Sequence, residues 1–321
     1  MKTLELPKGE LHLHLNGAIP TELLKKMILD SGVAIPEYFD LEKDLNVLEP
    51  RASLGEYLKP WMILNKIPLT KECLIVQILS AVELLKNNNI KFAELRNTVF
   101  YIAELNNLDL ETALLWLLEA ISIAEQRTGI ILGLIITLNC KDLSVDKCLR
   151  VLNAVKNLNY PSKIIGLDLA GNEEIPVSND MGLFFQKIKG ETNLGITIHA
   201  GETGNVSNIY QAIDIFCADR IGHANASIKD VKLMEILSKK DIVVEVCPVS
   251  NQLTRAVRNE NYSFMKFLEY DVPFVLCSDN PAIHRRSIDD DYNFFLEKTG
   301  RSDILSNMYS MQKKYSFIRQ G

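Results

Sequence analysis

The chain has 321 residues and a net charge of −6, and 47% of its residues are hydrophobic while 24% are charged. This length and composition are typical of a globular enzyme with a sizeable core, built either as two average domains or as one α/β barrel. The negative charge and the lack of a Lys/Arg-rich stripe argue against nucleic-acid binding, so a small neutral substrate is favoured over a polyanion.

No segment of the sequence predicts a membrane span. The longest apolar run, residues 130–138, is too short to cross a bilayer and is typical of a buried strand. Residues 1–9 lack the apolar core of a signal peptide. The six cysteines contain no CxxC pair and have no regular spacing, which disfavours a disulfide framework and a thiolate zinc site. We therefore expect a reduced, cytoplasmic protein.

Short apolar or β-branched runs alternate with longer helical patterns along the whole chain. The predicted strands are residues 9–15, 92–98, 130–138, 164–169, 195–199, 220–222, 242–246 and 274–278. Segments with 3.6-residue spacing lie between them, among them residues 74–85, 110–127, 145–158 and 231–237. This alternation predicts an α/β fold, a closed parallel (β/α)8 TIM barrel, with an open doubly wound sheet as the alternative. No repeat or Pro/Gly-rich linker divides the chain, so residues 1–321 are expected to form a single domain.

The connection between the first two predicted strands contains an extra segment, residues 31–68. It is longer than one crossover helix requires, and it contains four prolines and the aromatic residues Tyr38, Phe39, Tyr57 and Trp61. Such an excursion either covers the mouth of a barrel site or is a packed, inert insertion. The sequence does not favour one interpretation over the other.

The first predicted strand carries two histidines, His12 and His14, in an alternating apolar run. Strand side chains alternate between faces, so both imidazoles are expected to point the same way, with Glu10 and Asn16 beside them. Burying two imidazoles is costly unless something compensates them, and a divalent metal such as zinc does so. Taken alone, the pair could also be two ordinary half-exposed histidines.

Polar residues follow the later predicted strands at their carboxyl ends, where barrel enzymes carry their chemistry. These segments are residues 168–173, 199–203, 220–224, 245–251 and 277–281. Three imidazoles and one carboxylate would form a zinc shell with room for one water, whose pKa falls to about 7 on zinc. Glu202, three residues after His199, can serve as a proton donor, and a further histidine can orient the water. The combination indicates a hydrolytic site.

The opening run PKGELHLHLNGAIP resembles the first motif of the adenosine deaminase family. The segments DLAGNE, HAGETG, DRIGHA, EVCPVSN and CSDNPAIH follow in that family's order and spacing, so the resemblance covers almost the whole chain. It implies a TIM-barrel enzyme of the metal-dependent hydrolase superfamily. The implied reaction is hydrolysis of adenosine or 2′-deoxyadenosine to the inosine form, with release of ammonia and with one zinc ion per chain.

The resemblance also implies the roles of individual residues in catalysis. The metal ligands would be His12, His14, His199 and Asp279. Glu202 would protonate purine N1, which makes C6 electrophilic. His223 would position the attacking hydroxide and stabilise the developing charge, and Asp279 would take the proton of the hydroxide.

Substrate contacts are implied at Gly171, whose backbone N–H would meet purine N3, at Asn280, which would hold N7, and at Asn16 on the sugar side. Asn16 stands where the best-known adenosine deaminases carry an aspartate, and asparagine there is similar to the branch that acts on N6-substituted AMP. The HAGE motif is instead typical of nucleoside deaminases. Asn280 replaces the second aspartate of a familiar pair, but its amide can donate the same hydrogen bond. Ala224 stands where glycine is usual, and its methyl group could narrow the pocket slightly.

Other polar residues near these motifs are expected to have structural roles. Arg96 is expected to pair with Glu94 or another barrel acid, Glu245 and Cys247 to brace the barrel mouth, Arg285 and Arg286 to be solvated, and His284 to lie on the surface.

Two alternative functions stay open. One keeps the chemistry but changes the substrate to N6-methyl-AMP, adenine or a modified adenosine. The other is a catalytically silent barrel that binds a nucleoside, which is disfavoured because all four implied ligands and Glu202 are present. The expected partner is in each case a small purine compound, without nucleic acid or membrane, and no pattern indicates the oligomeric state.

Overall fold

The computed structural model describes residues 3–257 and 261–319. Its centre is one sheet of eight parallel strands that follow one another in chain order. The strands are β1 (Lys8–His14), β2 (Ile90–Asn97), β3 (Ile131–Asn139), β4 (Ile164–Ala170), β5 (Gly195–Ala200), β6 (Arg220–His223), β7 (Val243–Val246) and β8 (Phe274–Leu276). The predicted (β/α)8 barrel is confirmed, and each predicted strand overlaps an observed one.

Helices connect the strands and cover the outside of the barrel. The α-helices in the described ranges are α1 (Leu15–Ala18), α2 (Thr21–Asp30), α3 (Leu54–Tyr57), α4 (Trp61–Leu64), α5 (Lys71–Asn87), α6 (Val99–Leu105), α7 (Leu110–Thr128), α8 (Val145–Asn157), α9 (Gly182–Glu191), α10 (Val206–Asp214), α11 (Val231–Lys239), α12 (Pro248–Leu253), α13 (Ser263–Glu269), α14 (Pro281–His284), α15 (Ile288–Thr299) and α16 (Ser302–Tyr315). Within those ranges, none is long and apolar enough to cross a membrane.

The long helices begin where local sequence signals place them. Thr70, Asp109 and Ser144 precede α5, α7 and α8, and each side chain accepts a hydrogen bond from a backbone N–H of the first turn. Helix α7 ends at Gly129, whose φ of +76° is readily adopted by glycine alone. Caps of this kind satisfy backbone groups that the helix leaves unpaired, so they stabilise the observed helix ends.

The barrel closes between β1 and β8 through both backbone and side-chain hydrogen bonds. The His14 N–H donates to the Asp279 carbonyl, and the Asp279 N–H donates to the His12 carbonyl, each at 3.0 Å. Toward the other end, the buried Gln312 amide of α16 accepts from a β1 N–H at 2.8 Å and donates to a β8 carbonyl at 3.0 Å. The closure brings Asp279 beside the two histidines of β1.

Charged side chains fill part of the barrel interior. Arg220 lies 2.5 Å from Glu94 and 2.8 Å from Glu245, while Arg96 lies 2.5 Å from Glu245 and 3.4 Å from Asp168. All five side chains are buried. Arg96 therefore pairs with barrel acids, as predicted, but Glu94 pairs with Arg220 instead.

Residues 31–68, here called the mouth segment, lie over the carboxyl ends of the strands. The segment contains α3 and α4, and its Val47 N–H donates to the Ile283 carbonyl of α14 at 3.0 Å. Tyr57 and Trp61 of this segment line the cavity described below. Of the two interpretations of the extra segment, the structure therefore supports the one in which it covers the site.

Candidate active site

The carboxyl ends of the strands open into a cavity of about 450 Å³. Its lining combines residues of the mouth segment with polar residues from the strand ends, among them His14, Asn16, Arg96, Gly171, His199, Glu202, His223, Asp279 and Asn280. His12 is fully buried, and its ring centroid lies 4.5 Å from that of His199 and 5.0 Å from that of His223. The structure thus gathers the predicted site residues in and around one cavity.

Three imidazoles and one carboxylate converge beside this cavity. One nitrogen from each of His12, His14 and His199 lies within 4.8 Å of the other two, and the Nε2 atoms of His14 and His199 are 3.1 Å apart. Asp279 Oδ1 lies 3.5 Å from His12 Nε2 and 3.4 Å from His14 Nε2. The three predicted histidine ligands therefore lie close enough to hold one ion, and the Asp279 carboxylate lies beside two of them.

Two buried carboxylates orient the imidazoles. His12 Nδ1 is 2.8 Å from Glu245 Oε2, and His199 Nδ1 is 2.9 Å from Asp168 Oδ1. When Nδ1 donates to a carboxylate, the lone pair of the ring lies on Nε2, the usual arrangement of a metal-binding histidine. Glu245 thus has a structural role, as expected, but it holds His12 from the barrel interior.

The chemistry of these donors fits a metal ion. His12 Nε2 is buried and makes no hydrogen bond within residues 3–257 and 261–319. Buried polar atoms are rarely left without a partner, so a nitrogen in this state points to a ligand. Burial lowers the pKa of both His14 and His199, which favours the neutral imidazole that a metal requires.

Glu202 lies on the loop after β5, and Glu173 holds that loop in place. A Glu173 carboxylate oxygen accepts from the Gly201 N–H at 2.6 Å, and the other accepts from the Thr203 hydroxyl at 2.8 Å. The sequence analysis assigned no role to Glu173, although it ends the DLAGNE motif, because motif membership alone does not reveal which loop a carboxylate binds.

Glu202 lies in an environment that favours its protonated form. Burial raises its pKa to about 7, so a large share of this carboxyl group stays protonated at neutral pH. His223 Nε2 lies 3.9 Å from Glu202 Oε1, and His223 Nδ1 lies 2.9 Å from Asn251 Oδ1. Asn251 thereby directs the other ring nitrogen of His223 toward Glu202.

The three residues predicted to contact substrate all line the cavity, but Asn16 reaches it differently from the prediction. Strand β1 ends at His14 and the chain becomes helical at Leu15, so Asn16 does not continue the strand face of the histidines. Its Oδ1 accepts from the Tyr101 hydroxyl at 3.1 Å and from Asn97 Nδ2 at 3.3 Å. The amide is thus held at the cavity wall by neutral neighbours.

Position 171 requires glycine because of its backbone conformation and its close neighbours. Its φ is +103°, and a Cβ at this position would lie 2.7 Å from Asn139 Oδ1. Any other residue would be both strained and crowded there.

Two predictions near the site are wrong. His284 is only 2% exposed rather than on the surface, because the mouth segment covers it and its Nε2 lies 2.9 Å from the Tyr57 hydroxyl. Ala224 is fully buried outside the cavity lining, so its methyl group does not narrow the pocket. Its φ of +47° gives a physical reason for glycine at this position. Arg285 and Arg286 are exposed, as predicted.

Comparison with known proteins agrees with this architecture. The adenosine deaminase family model matches residues 7–317. The adenosine deaminase of Clostridium acetobutylicum is 31% identical over 295 residues, which cover 90% of this chain and 86% of that protein.

Two solved structures share the fold. An amidohydrolase from Burkholderia ambifaria with bound zinc superposes with a TM-score of 0.87 at 17% identity, covering 99% of this chain and 87% of its own. The Arabidopsis N6-mAMP deaminase superposes with a TM-score of 0.85 at 22% identity, covering 99% and 95%. At these identities the two structures establish the fold alone.

Proposed function

Because the chain belongs to the adenosine deaminase family, we propose that it hydrolyses the C6 amino group of adenosine or 2′-deoxyadenosine, producing the inosine form and ammonia. The observation that carries this proposal is the convergence of three imidazoles, the Asp279 carboxylate and the protonatable Glu202 at one cavity. The similarity to the clostridial adenosine deaminase along most of both chains supports the same substrate.

One zinc ion is the proposed cofactor. The residues that would hold it are His12, His14, His199 and Asp279. Zinc suits a site dominated by imidazole, and the amidohydrolase that contains zinc has the same fold. When bound, zinc would lower the pKa of a water molecule to about 7 and so supply hydroxide at neutral pH.

The acid and base steps are assigned to this chain's own residues. Glu202, with a pKa of about 7, would donate a proton to purine N1 and thereby make C6 electrophilic. His223, held through Asn251, would orient the attacking oxygen and stabilise the charge that develops. Asp279 would accept the proton that the attacking group releases.

The purine would be held between the strand ends and the mouth segment. The Gly171 backbone N–H would donate to N3, and the Asn280 amide would donate to N7. Trp61 and the other mouth-segment residues in the lining would shield the reacting carbon from bulk water.

The chemistry of the cavity lining supports a second candidate class of substrate, adenine compounds that carry a 5′-phosphate. Apart from the candidate catalytic residues Glu202 and Asp279, the described lining residues include no carboxylate, whereas they include several amides and the exposed Lys141. Such a wall would not repel a 5′-phosphate. The alternative substrate is therefore N6-methyl-AMP or another adenine derivative, in keeping with the shared fold of the Arabidopsis N6-mAMP deaminase.

The deciding experiment is turnover by zinc-loaded protein of adenosine, 2′-deoxyadenosine, adenine, AMP and N6-methyl-AMP. The ultraviolet change on forming the 6-oxo purine gives the rate, and elemental analysis is expected to give one zinc per chain. Fastest turnover of a nucleoside supports the proposal, and fastest turnover of adenine, AMP or N6-methyl-AMP supports the alternative. Turnover of none of the five contradicts both.

A further inference from the structure

The hydroxyl of Tyr57 links the mouth segment to the residues beneath the cavity. It lies 2.8 Å from Asn280 Nδ2, 2.9 Å from His284 Nε2, and 3.2 Å from both Asp279 Oδ2 and Ser250 Oγ. The Tyr57 side chain is itself buried, with 2% exposure. A single phenol group therefore contacts four polar side chains. One of them is the Asn280 amide, which is proposed to donate to purine N7.

The directions of these hydrogen bonds follow from the number of hydrogens available. The Ser250 hydroxyl donates to Asp279 Oδ2 at 2.5 Å, and a carboxylate oxygen only accepts. The single hydrogen of Tyr57 is therefore directed to Asp279, to His284 or to the Ser250 oxygen, and in each case the phenol oxygen is free to accept. The Asn280 amide is then the donor to Tyr57.

This arrangement gives the Asn280 amide one orientation. Its nitrogen faces Tyr57, while its Oδ1 lies against Gly17, where a Cβ would be only 1.9 Å away. Oδ1 is buried and finds no hydrogen-bond partner in the described part of the chain. An amide nitrogen carries two hydrogens, so the second stays available to a ligand in the cavity that Asn280 lines.

We propose that Tyr57 is a positioning residue that makes Asn280 present an N–H to the cavity, and that it thereby selects a base with an unprotonated ring nitrogen at that point. This inference rests on the proposed function, because in a purine substrate the nitrogen is N7. Without the Tyr57 hydroxyl, the amide can rotate and turn its carbonyl toward the lone pair of N7, which is repulsive. Tyr57 therefore contributes to base recognition through the Asn280 amide.

The test compares each enzyme on the purine that the wild type converts fastest and on its 7-deaza counterpart, which has a C–H in place of N7. Wild type is expected to prefer the parent purine by roughly tenfold or more in kcat/KM, the effect of one hydrogen bond. Tyr57→Phe is expected to lower kcat/KM for the parent purine by about tenfold and for the 7-deaza compound much less, since that contact is already missing. The ratio of kcat/KM for the parent purine to that for the 7-deaza compound, here called the preference, then falls toward one.

Two further variants separate positioning from packing. Tyr57→Phe also removes a hydrogen-bond partner of His284, which can lower stability. The double variant, Tyr57→Phe with His284→Phe, replaces both partners by apolar rings and is expected to recover the wild-type Tm. Tyr210→Phe is the matched control, because its hydroxyl donates to Asp230 at 3.1 Å outside the cavity lining.

A preference near one in both Tyr57 variants, with the Tm recovered in the double variant, supports the inference. If the ratio of kcat/KM for the parent purine to that for the 7-deaza compound stays at the wild-type value, or returns to it together with the Tm, Tyr57 has a packing role. Either result contradicts the inference. An active wild type with unchanged preference in Tyr57→Phe removes this inference alone. A wild type without turnover contradicts the proposed function, and the inference fails with it.

Discussion

His223 and Asp279 have backbone φ values of +65° and +62°, in the left-handed region that residues with a Cβ seldom adopt. Such a conformation costs about 1–2 kcal/mol per residue and tends to persist at functional sites. Hydrogen bonds hold Asp279 in this conformation, because its N–H donates to the His12 carbonyl and its carboxylate accepts from Ser250. The two side chains are thus held in place before a substrate binds.

The role of Glu202 predicts the effect of its amide variant. Glu202→Gln keeps the size of the side chain but removes its proton-donating function, so we expect turnover to fall by roughly 10²–10⁴-fold. Metal content is expected to stay unchanged, because Glu202 does not belong to the cluster of three imidazoles. Elemental analysis and kcat measure the two effects. Glu174→Gln is the control, since Glu174 is exposed, and unchanged turnover in Glu202→Gln would refute the acid role.

The raised pKa of Glu202 predicts a pH profile. Burial raises this pKa to about 7, and the active form is the protonated one, so the rate is expected to fall as the pH rises through about 7 and the proton is lost. The measurement is kcat/KM between pH 5.5 and 9 with the preferred purine. A rate that climbs steadily above pH 8 would be inconsistent with a proton donor of this pKa.

At the scale of elements, the mouth segment supplies what the strand ends lack. The strand ends carry the polar groups, whereas α3 and α4 add the aromatic rings of Tyr57 and Trp61. The ring centroid of Trp61 lies 6.3 Å from that of Tyr57 and 6.5 Å from that of His14. The segment is therefore part of the cavity as well as its cover.

Removal of the Trp61 ring tests this role. Trp61→Ala is expected to raise KM about tenfold, the loss of roughly 1–2 kcal/mol of apolar contact, while kcat changes less because the reacting groups are retained. Steady-state kinetics separate the two constants. Tyr38→Ala is the control, because Tyr38 belongs to the same segment but is 66% exposed. Equal KM values for both variants would mean that the mouth segment does not contribute to binding.

At the scale of the whole molecule, buried charges connect the barrel interior to the candidate metal ligands. Glu94, Arg220, Glu245 and Arg96 form a continuous series of ion pairs, and Glu245 also holds His12. Buried ion pairs contribute little net stability, but a single unpaired member is costly. The series therefore fixes the orientation of the His12 imidazole. Substitution of one of its members is expected to destabilise the protein.

Arg220→Met is expected to lower the free energy of unfolding by about 3–5 kcal/mol, because it removes the cation paired with Glu94 in the barrel interior and one of the two arginines paired with Glu245. Urea denaturation measures the change. Arg301→Met provides the control, since Arg301 pairs with Asp303 at the surface and its loss is expected to change stability little. If both variants unfold at the wild-type urea concentration, the ion pairs do not hold the barrel together.

The amino-acid sequence by itself determined the order of strands and helices, because hydrophobic periodicity and helix caps are local properties. It also brought out the polar residues at the strand ends, since residues that follow parallel strands meet at one end of a barrel. The resemblance of the motifs to the adenosine deaminase family then implied which four of these residues are the candidate ligands. The continuation of the β1 face to Asn16 was wrong, because the chain turns helical one residue earlier.

Only the tertiary structure decided which side chains meet across the closed barrel. The Tyr57–His284 contact joins residues 227 positions apart, and the bond from Gly201 to Glu173 joins two separate loops. Local pattern carries no information on such pairs, so His284 was predicted at the surface and Glu173 received no role. Barrel closure and the placement of the mouth segment bury these groups together, and burial then requires each to find a hydrogen-bond partner.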